Sequence, residues 1–257
     1  MTIKFEIVGA VAKISLNRPD VLNSFNKEMA MELQSSLDKC DKDPSVRAIF
    51  LTAEGRAFCA GQDLAEAISM EGPGLRNIVK DHYNPIISKI RNIEKPVICA
   101  VNGVAAGAGA NIALACDIVF AAKSSSFIQA FSKIGLIPDS GGTFTLPRLV
   151  GLQRATALMM LGDKVPADKA YEFGMIYKVC EDDKLMEEAM AIANTLANMP
   201  TKGLGLTKRA LNQSMTNNLE EQLNLEEELQ VQAGQTYDYN EGVKSFLEKR
   251  KPLFKGC

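Results

Sequence analysis

Apolar residues along the chain change spacing from region to region. Near the N-terminus "IKFEIV" and "VAKISL" alternate and meet at Gly9-Ala10, the pattern of a hairpin. In "NKEMAMELQSSLDKCDKD" the residues Ala30, Leu33 and Leu37 recur every three or four positions behind Asn26, a capping residue, and Asp43-Pro44 ends the run. This spacing predicts a helix followed by the short, unbroken apolar strand "RAIFLT". After the loop "AEGRAFCAGQDL" the helical spacing returns from about 74 to 93. The strand "PVICAV", a glycine turn, the helix "AGANIALAC" and the strand "DIVFAA" come next. Strand, glycine loop and helix in alternation predict β-β-α units supporting largely parallel sheet. Beyond about Asp182 the period is helical nearly to the end. There Leu211, Met215, Leu219 and Leu223 stand four apart among Glu, Gln and Asn, a stripe that either packs within the chain or meets another subunit.

Composition narrows the classes. The chain has 257 residues, 46% hydrophobic and 23% charged, which suits one α/β domain with a helical appendage. A formal net charge of -2 gives no general attraction to nucleic acid or to an anionic membrane. The start lacks a basic segment followed by an apolar one, and no run reaches the roughly 18–20 apolar residues of a membrane span, so the chain reads as cytoplasmic. Six scattered cysteines without a C-x-x-C fit a reducing compartment. The single histidine, His82 in "DHYNP", reads as a surface or partly packed residue. Histidine triads and histidine-rich metal sites are thereby excluded, no metal or cofactor is expected, and acid–base chemistry falls to carboxylates.

Three loops have the residues for chemistry. In "FCAGQDL" Gly61 permits an unusual turn that leaves the Gln62 amide free to donate. In "NGVAAGAGANIAL" small residues lead a strand into a helix, whose N-terminus exposes unpaired N–H groups. Neither loop is a dinucleotide or P-loop fingerprint. In "GLIPDSGGT" the carboxylate Asp139 sits among apolar neighbours, either to cap the helix that follows or to act as a base.

Together these loops resemble the crotonase superfamily, the enoyl-CoA hydratase/isomerase fold. The marks are "LNRPDVLNSFN", "FCAGQDL", "PVICAVNGVAAGAGANIALACDIVFAA", "GLIPDSGGTFTLPRLVG" and "ADKAYEFGMIYKV", in the family's order over essentially the whole length. The resemblance implies an α/β spiral of β-β-α units over residues 1–195, an acyl-CoA-binding catalytic core. Residues 196–257 would then form a C-terminal helical region that makes a trimer or a dimer of trimers.

It also implies a thioester carbonyl held between two backbone N–H donors, which map to Gln62 and Ala108 and stabilise an enolate. Ala60, Gln62, Asp63, Leu64 and Gly107 would line the acyl-CoA. In the basic tail "KSFLEKRKPLFKGC", Phe246 and Lys249 would meet its adenine and phosphates. The family's hydratases carry two glutamates that hold a water, and by register those positions here are Asn111 and Phe131, neither of them a base. Asp139 stands where several isomerases of the superfamily place their carboxylate. The implied reaction is proton abstraction next to the thioester. It would either move a 3-enoyl double bond to the 2-position or rearrange the ring epoxide of an arylacetyl thioester. Hydration is the alternative within the family, and a non-catalytic CoA-binding protein is the alternative outside it.

Overall fold

A computed structural model describes residues 1–257. Ten strands make two sheets. In chain order they are β1 (Ile3–Val8), β2 (Val11–Leu16), β3 (Ala48–Ala53), β4 (Ala57–Cys59), β5 (Val97–Val101), β6 (Val104–Ala106), β7 (Ile118–Ala122), β8 (Ser126–Ile128), β9 (Lys164–Pro166) and β10 (Lys178–Cys180). The larger sheet runs β1-β2-β3-β5-β7-β10 and the smaller β4-β6-β8-β9. Pairings β1–β2 and β8–β9 are antiparallel and all others parallel. Each of the pairs β3/β4, β5/β6 and β7/β8 therefore gives one strand to each sheet before a helix follows, which is the α/β spiral of β-β-α units that the sequence implies.

The unbroken apolar strands follow from burial on both faces. Ile49, Leu51, Val97, Cys99 and Val101 point into the main core, while Ala48, Phe50, Ile98, Ala100 and Phe120 point the other way into a second cluster. That second cluster is closed by helix Leu185–Ala197 through Leu185, Ala189, Ala193 and Ala197, the three alanines letting the helix lie close to the sheet. Helix Lys27–Lys42 covers the main core with Met29, Ala30, Leu33 and Leu37, and Asn26 caps it by accepting the Met29 N–H at 3.0 Å.

Four short strands, β4, β6, β8 and β9, have no separate signal in the hydrophobic pattern. At three residues each they are too short to show a period, and β4 lies inside the stretch expected to be loop. The expected helix over 74–93 is interrupted. Residues Ile78–Tyr83 form a π-helical turn, in which the Asn84 N–H reaches back five residues to the Val79 carbonyl. The cause is Pro85, which has no N–H for the Asp81 carbonyl. Gln34 Nε2 supplies it instead, at 2.8 Å, and also reaches the His82 carbonyl at 3.1 Å. His82 itself is fully buried rather than superficial.

The apolar stripe after Asp182 is not one helix. Helix Thr201–Gln213 ends before Met215, and Asn218 starts helix Leu219–Gly234 through a capping box with Glu221. Leu211, Met215, Leu219 and Leu223 all stay exposed, so packing within the chain does not use them up. No helix is long and apolar enough to cross a membrane.

Candidate active site

Gln62 and Ala108 follow β4 and β6, paired neighbours in the smaller sheet, and this brings their segments side by side. A parallel bridge pairs Phe25 with Gln62: the Phe25 N–H donates to the Gly61 carbonyl at 2.7 Å and the Asp63 N–H to the Phe25 carbonyl at 2.8 Å. Successive N–H groups of an extended segment face opposite sides, so the Gln62 N–H points away from this bridge. Ala108 is the first residue of helix Ala108–Ala115, and its N–H lacks a partner within the helix. Gly61 lies against that turn: a Cβ there would sit 3.1 Å from the Ala106 carbonyl oxygen and 3.8 Å from the Ala108 nitrogen. Gly107 has φ +54° and ψ −127°, a backbone open to glycine and to few other residues, and this sharp bend aims the helix start at the site.

The surroundings fix the corner from several directions. Arg18 pairs with Asp63 at 3.0 Å and donates to the Ser24 carbonyl at 2.6 Å. Asn23 donates to the Glu54 and Ala57 carbonyls at 2.8 and 2.9 Å. The Gly61 N–H meets Cys59 Sγ at 3.3 Å, and burial pushes that thiol up to about 12, so it is no nucleophile at neutral pH. Asp63 also caps the short helix Leu64–Ala67 through Ala65. Ala60 and Leu64 are exposed at the edge.

Asp139 is reached through Asn111. Fully buried, Asn111 donates from Nδ2 to the Asp139 carbonyl at 2.8 Å and accepts at Oδ1 from Gln129 Nε2 at 2.8 Å. A side chain at Gly142 would strike Asn111, its Cβ falling 2.3 Å from Nδ2, so the glycine is required by close approach. Ser140 (φ +52°) and Gly141 (φ +70°) are both left-handed and turn the chain between Asp139 and helix Gly142–Val150. That helix has no side-chain cap. The only side-chain bond of the Asp139 carboxylate comes from Ser140 Oγ, at 2.9 Å. The capping role open to it on sequence grounds is thus absent. Burial, the largest influence, holds this carboxyl above the usual aspartate range against the opposing Ser140 bond.

Of the apolar residues near Asp139 in the sequence, only some are buried. Phe131 is buried, and its ring would lie 3.7 Å from a Cβ on Gly107. Leu136, Ile137 and Phe144, which also lie close to Asp139 in the sequence, are exposed, Ile137 by 81%.

Phe246 and Lys249 lie elsewhere on the chain. Phe246 is on helix Tyr237–Leu247, which packs on Leu219–Gly234, and is 82% exposed. Lys249 has left-handed φ and hydrogen-bonds through its backbone to the Phe246 carbonyl. Neither bonds to the loops that carry Gln62 and Ala108.

The enoyl-CoA hydratase/isomerase family model matches residues 6–257. The chain belongs to that family. It is 50% identical to 1,2-epoxyphenylacetyl-CoA isomerase of Escherichia coli K12 over 249 residues, 96% of this chain and 95% of that protein. It is 44% identical to a probable enoyl-CoA hydratase of Rhodobacter capsulatus over 255 residues, 99% and 98% of the two chains. A crystal structure of enoyl-CoA hydratase from Bacillus anthracis superposes with a TM-score of 0.93 at 34% identity, covering 100% of both chains.

Sequence reasoning passed over Tyr83, Arg18, Asn23 and Gln129. Tyr83 had one visible signal, the proline two residues later in "DHYNP". The other three are recognised only from the partners that folding gives them.

Proposed function

We propose that this family member is an acyl-CoA isomerase with one working carboxylate. Asp139 removes a proton from the carbon next to the thioester of a 3-enoyl-CoA, and the C–H electron pair passes into a dienolate. The enolate oxygen accepts from the Gln62 and Ala108 N–H groups, each such donor being typically worth about 3–4 kcal/mol of barrier. Protonated Asp139 then returns the proton to C4, the double bond moves to the 2-position, and the carboxylate is regenerated. With an epoxide on a ring next to that carbon, the same enolate instead breaks the nearer epoxide C–O bond, whose electron pair leaves on the oxygen; that oxygen stays on the adjacent ring carbon as an alkoxide and can take the proton from Asp139.

The observation that carries this reading is the state of the two positions where hydratases hold glutamates. Asn111 has both ends of its side chain occupied, by Asp139 and Gln129, and Phe131 is a buried ring, so neither activates a water. A relative named as an isomerase at 50% identity supports the same reading, while hydratase names among other relatives keep hydration as the competing one. The exposed stripe Leu211, Leu219 and Leu223 supports a trimeric assembly, which would also bring a neighbour's Phe246 and Lys249 to the CoA.

The test is turnover of a panel of 3-enoyl-CoAs, 2-enoyl-CoAs and the epoxyphenylacetyl thioester by the purified protein. Loss of the 3-enoyl substrates with formation of 2-enoyl products, or consumption of the epoxide, is expected. Water addition to 2-enoyl-CoA as the fastest reaction would overturn the proposal.

A further inference from the structure

Tyr83 is the largest fully buried side chain in the protein, and its hydroxyl is spent on the residue that carries an oxyanion donor. The phenol donates to Gln62 Oε1 at 2.8 Å. From the same carboxamide Nε2 reaches the Asp63 carbonyl and Glu66 Oε2, both at 3.3 Å, and Glu66 in turn accepts the Lys27 N–H at 3.0 Å. Gln62 is thus tied by its side chain to a helix on one side and by its backbone to Phe25 on the other. Its backbone N–H makes no hydrogen bond within the chain.

The placement of Tyr83 depends on the π turn. One extra residue between Ile78 and Tyr83 shifts the helix register, and helix Asn84–Asn92 resumes immediately after it. Such turns occur often at functional sites. The ring is held in place by Phe25, at 5.8 Å between centroids, the same residue that bridges to Gln62. Burial raises the phenol well above its ordinary range, so it stays protonated and donates at every working pH.

We propose that Tyr83 is a positioning residue for the oxyanion-binding corner: by holding the Gln62 carboxamide it orients the Gln62 N–H toward the thioester oxygen. This rests on the reading above that Gln62 N–H binds the enolate. Tyr83 acts through Gln62 and does not touch the reacting carbons.

The experiment reads the donor directly. Hexanoyl-CoA labelled with 13C at the thioester carbon has no double bond to move, so its carbonyl band can be recorded by infrared difference spectroscopy while bound. Wild-type protein should shift the band to lower frequency, and Tyr83→Phe and Gln62→Ala should each return it toward the free position. On 3-hexenoyl-CoA each variant should lose about tenfold in kcat with KM within about twofold, the size expected when a donor is misaimed rather than removed. The double variant should be no slower than Gln62→Ala, because the two changes break one linkage.

A wild-type band and kcat in Tyr83→Phe would overturn the proposal, and so would losses that multiply in the double variant. If Tyr83→Phe does not fold, Gln62→Ala decides, since that side chain is only half-buried; an unshifted wild-type-like band there is equally fatal. A wild-type protein that shifts the band but turns over neither a 3-enoyl-CoA nor the epoxyphenylacetyl thioester would overturn the isomerase assignment and leave Tyr83 in place. No band shift in wild type removes the donor and this role with it.

Discussion

At the corner that holds Gln62 and Ala108 nearly every polar side chain has a partner in the chain, whereas on the segments flanking it large apolar side chains have none. The corner is braced by Arg18–Asp63, Tyr83–Gln62 and Asn111–Asp139. The segments flanking it in the chain, after Gln62 and around Asp139, display Leu64, Ile68, Met70, Leu75, Ile137 and Phe144 to solvent. The difference suits what each region would handle in the proposed reaction. Stabilising a developing oxyanion requires dipoles already in place, because reorienting them during the reaction would cost the energy they are meant to supply. Exposed apolar side chains gain free energy only when something apolar covers them, and on the proposed function the acyl part of a substrate would do that at the moment of binding. Asp139 lies between the two. Its carbonyl is held on the corner side, and its carboxylate is left with a single partner, Ser140.

The comparison breaks most sharply at Asp139. Asp139→Asn keeps the shape and removes the base, so turnover should fall on the order of 10²–10⁴-fold while affinity for a saturated acyl-CoA, measured by calorimetry, changes little. The wild-type rate should rise with pH through a value above the ordinary aspartate range, because the base works only when ionised and burial raises its proton affinity. The same shift sets a sign for stability. An acid whose folded pKa is raised contributes stability that is complete below its unfolded value and lost as pH rises through the folded value. At neutral pH that contribution is absent, so Asp139→Asn should melt at or above the wild-type temperature in a calorimetric scan. A clearly lower melting temperature would mean that the carboxylate serves the fold.

Next in size is Gly107→Ala. Its backbone, φ +54° and ψ −127°, does not suit a side chain, so relaxation should swing the Ala108 N–H out of line and cost about 10²–10³ in kcat, the loss typical of one oxyanion donor. Retained turnover would show that Ala108 is not a donor. On the flanking segments the expectation reverses. Ile137→Ser should leave the denaturation midpoint within about 0.5 kcal/mol, since the side chain is 81% exposed, yet raise KM severalfold for long acyl chains. Unchanged KM across acyl lengths would take Ile137 out of the binding surface. The smallest effect belongs to Lys249→Ala, which should weaken CoA-ester binding a few-fold at low ionic strength and not at high. Equal affinity in both salts would separate the basic tail from the CoA site.

Much of this molecule was legible before folding. The alternation of strand, glycine loop and helix determined the β-β-α units and the largely parallel sheet, because strands buried on both faces read as apolar runs and helices as a 3.6-residue period, and the family resemblance supplied the spiral. By the register of the family resemblance, the identities of Asn111, Phe131 and Asp139 put one carboxylate where a pair of glutamates is absent, which is the basis of the proposed base. What the linear order could not carry is everything set by contacts across long separations. Only the folded chain shows that Asp139 caps no helix, that Asn111 is used up on Gln129 and the Asp139 backbone, and that the period around Met215 is broken by a new helix start. Only there does a missing N–H at Pro85 shift the register and set Tyr83 against Gln62, 21 residues away. Periodicity records which face of an element is buried; the direction of an unpaired N–H depends on the partners its neighbours find, and those are chosen by tertiary packing.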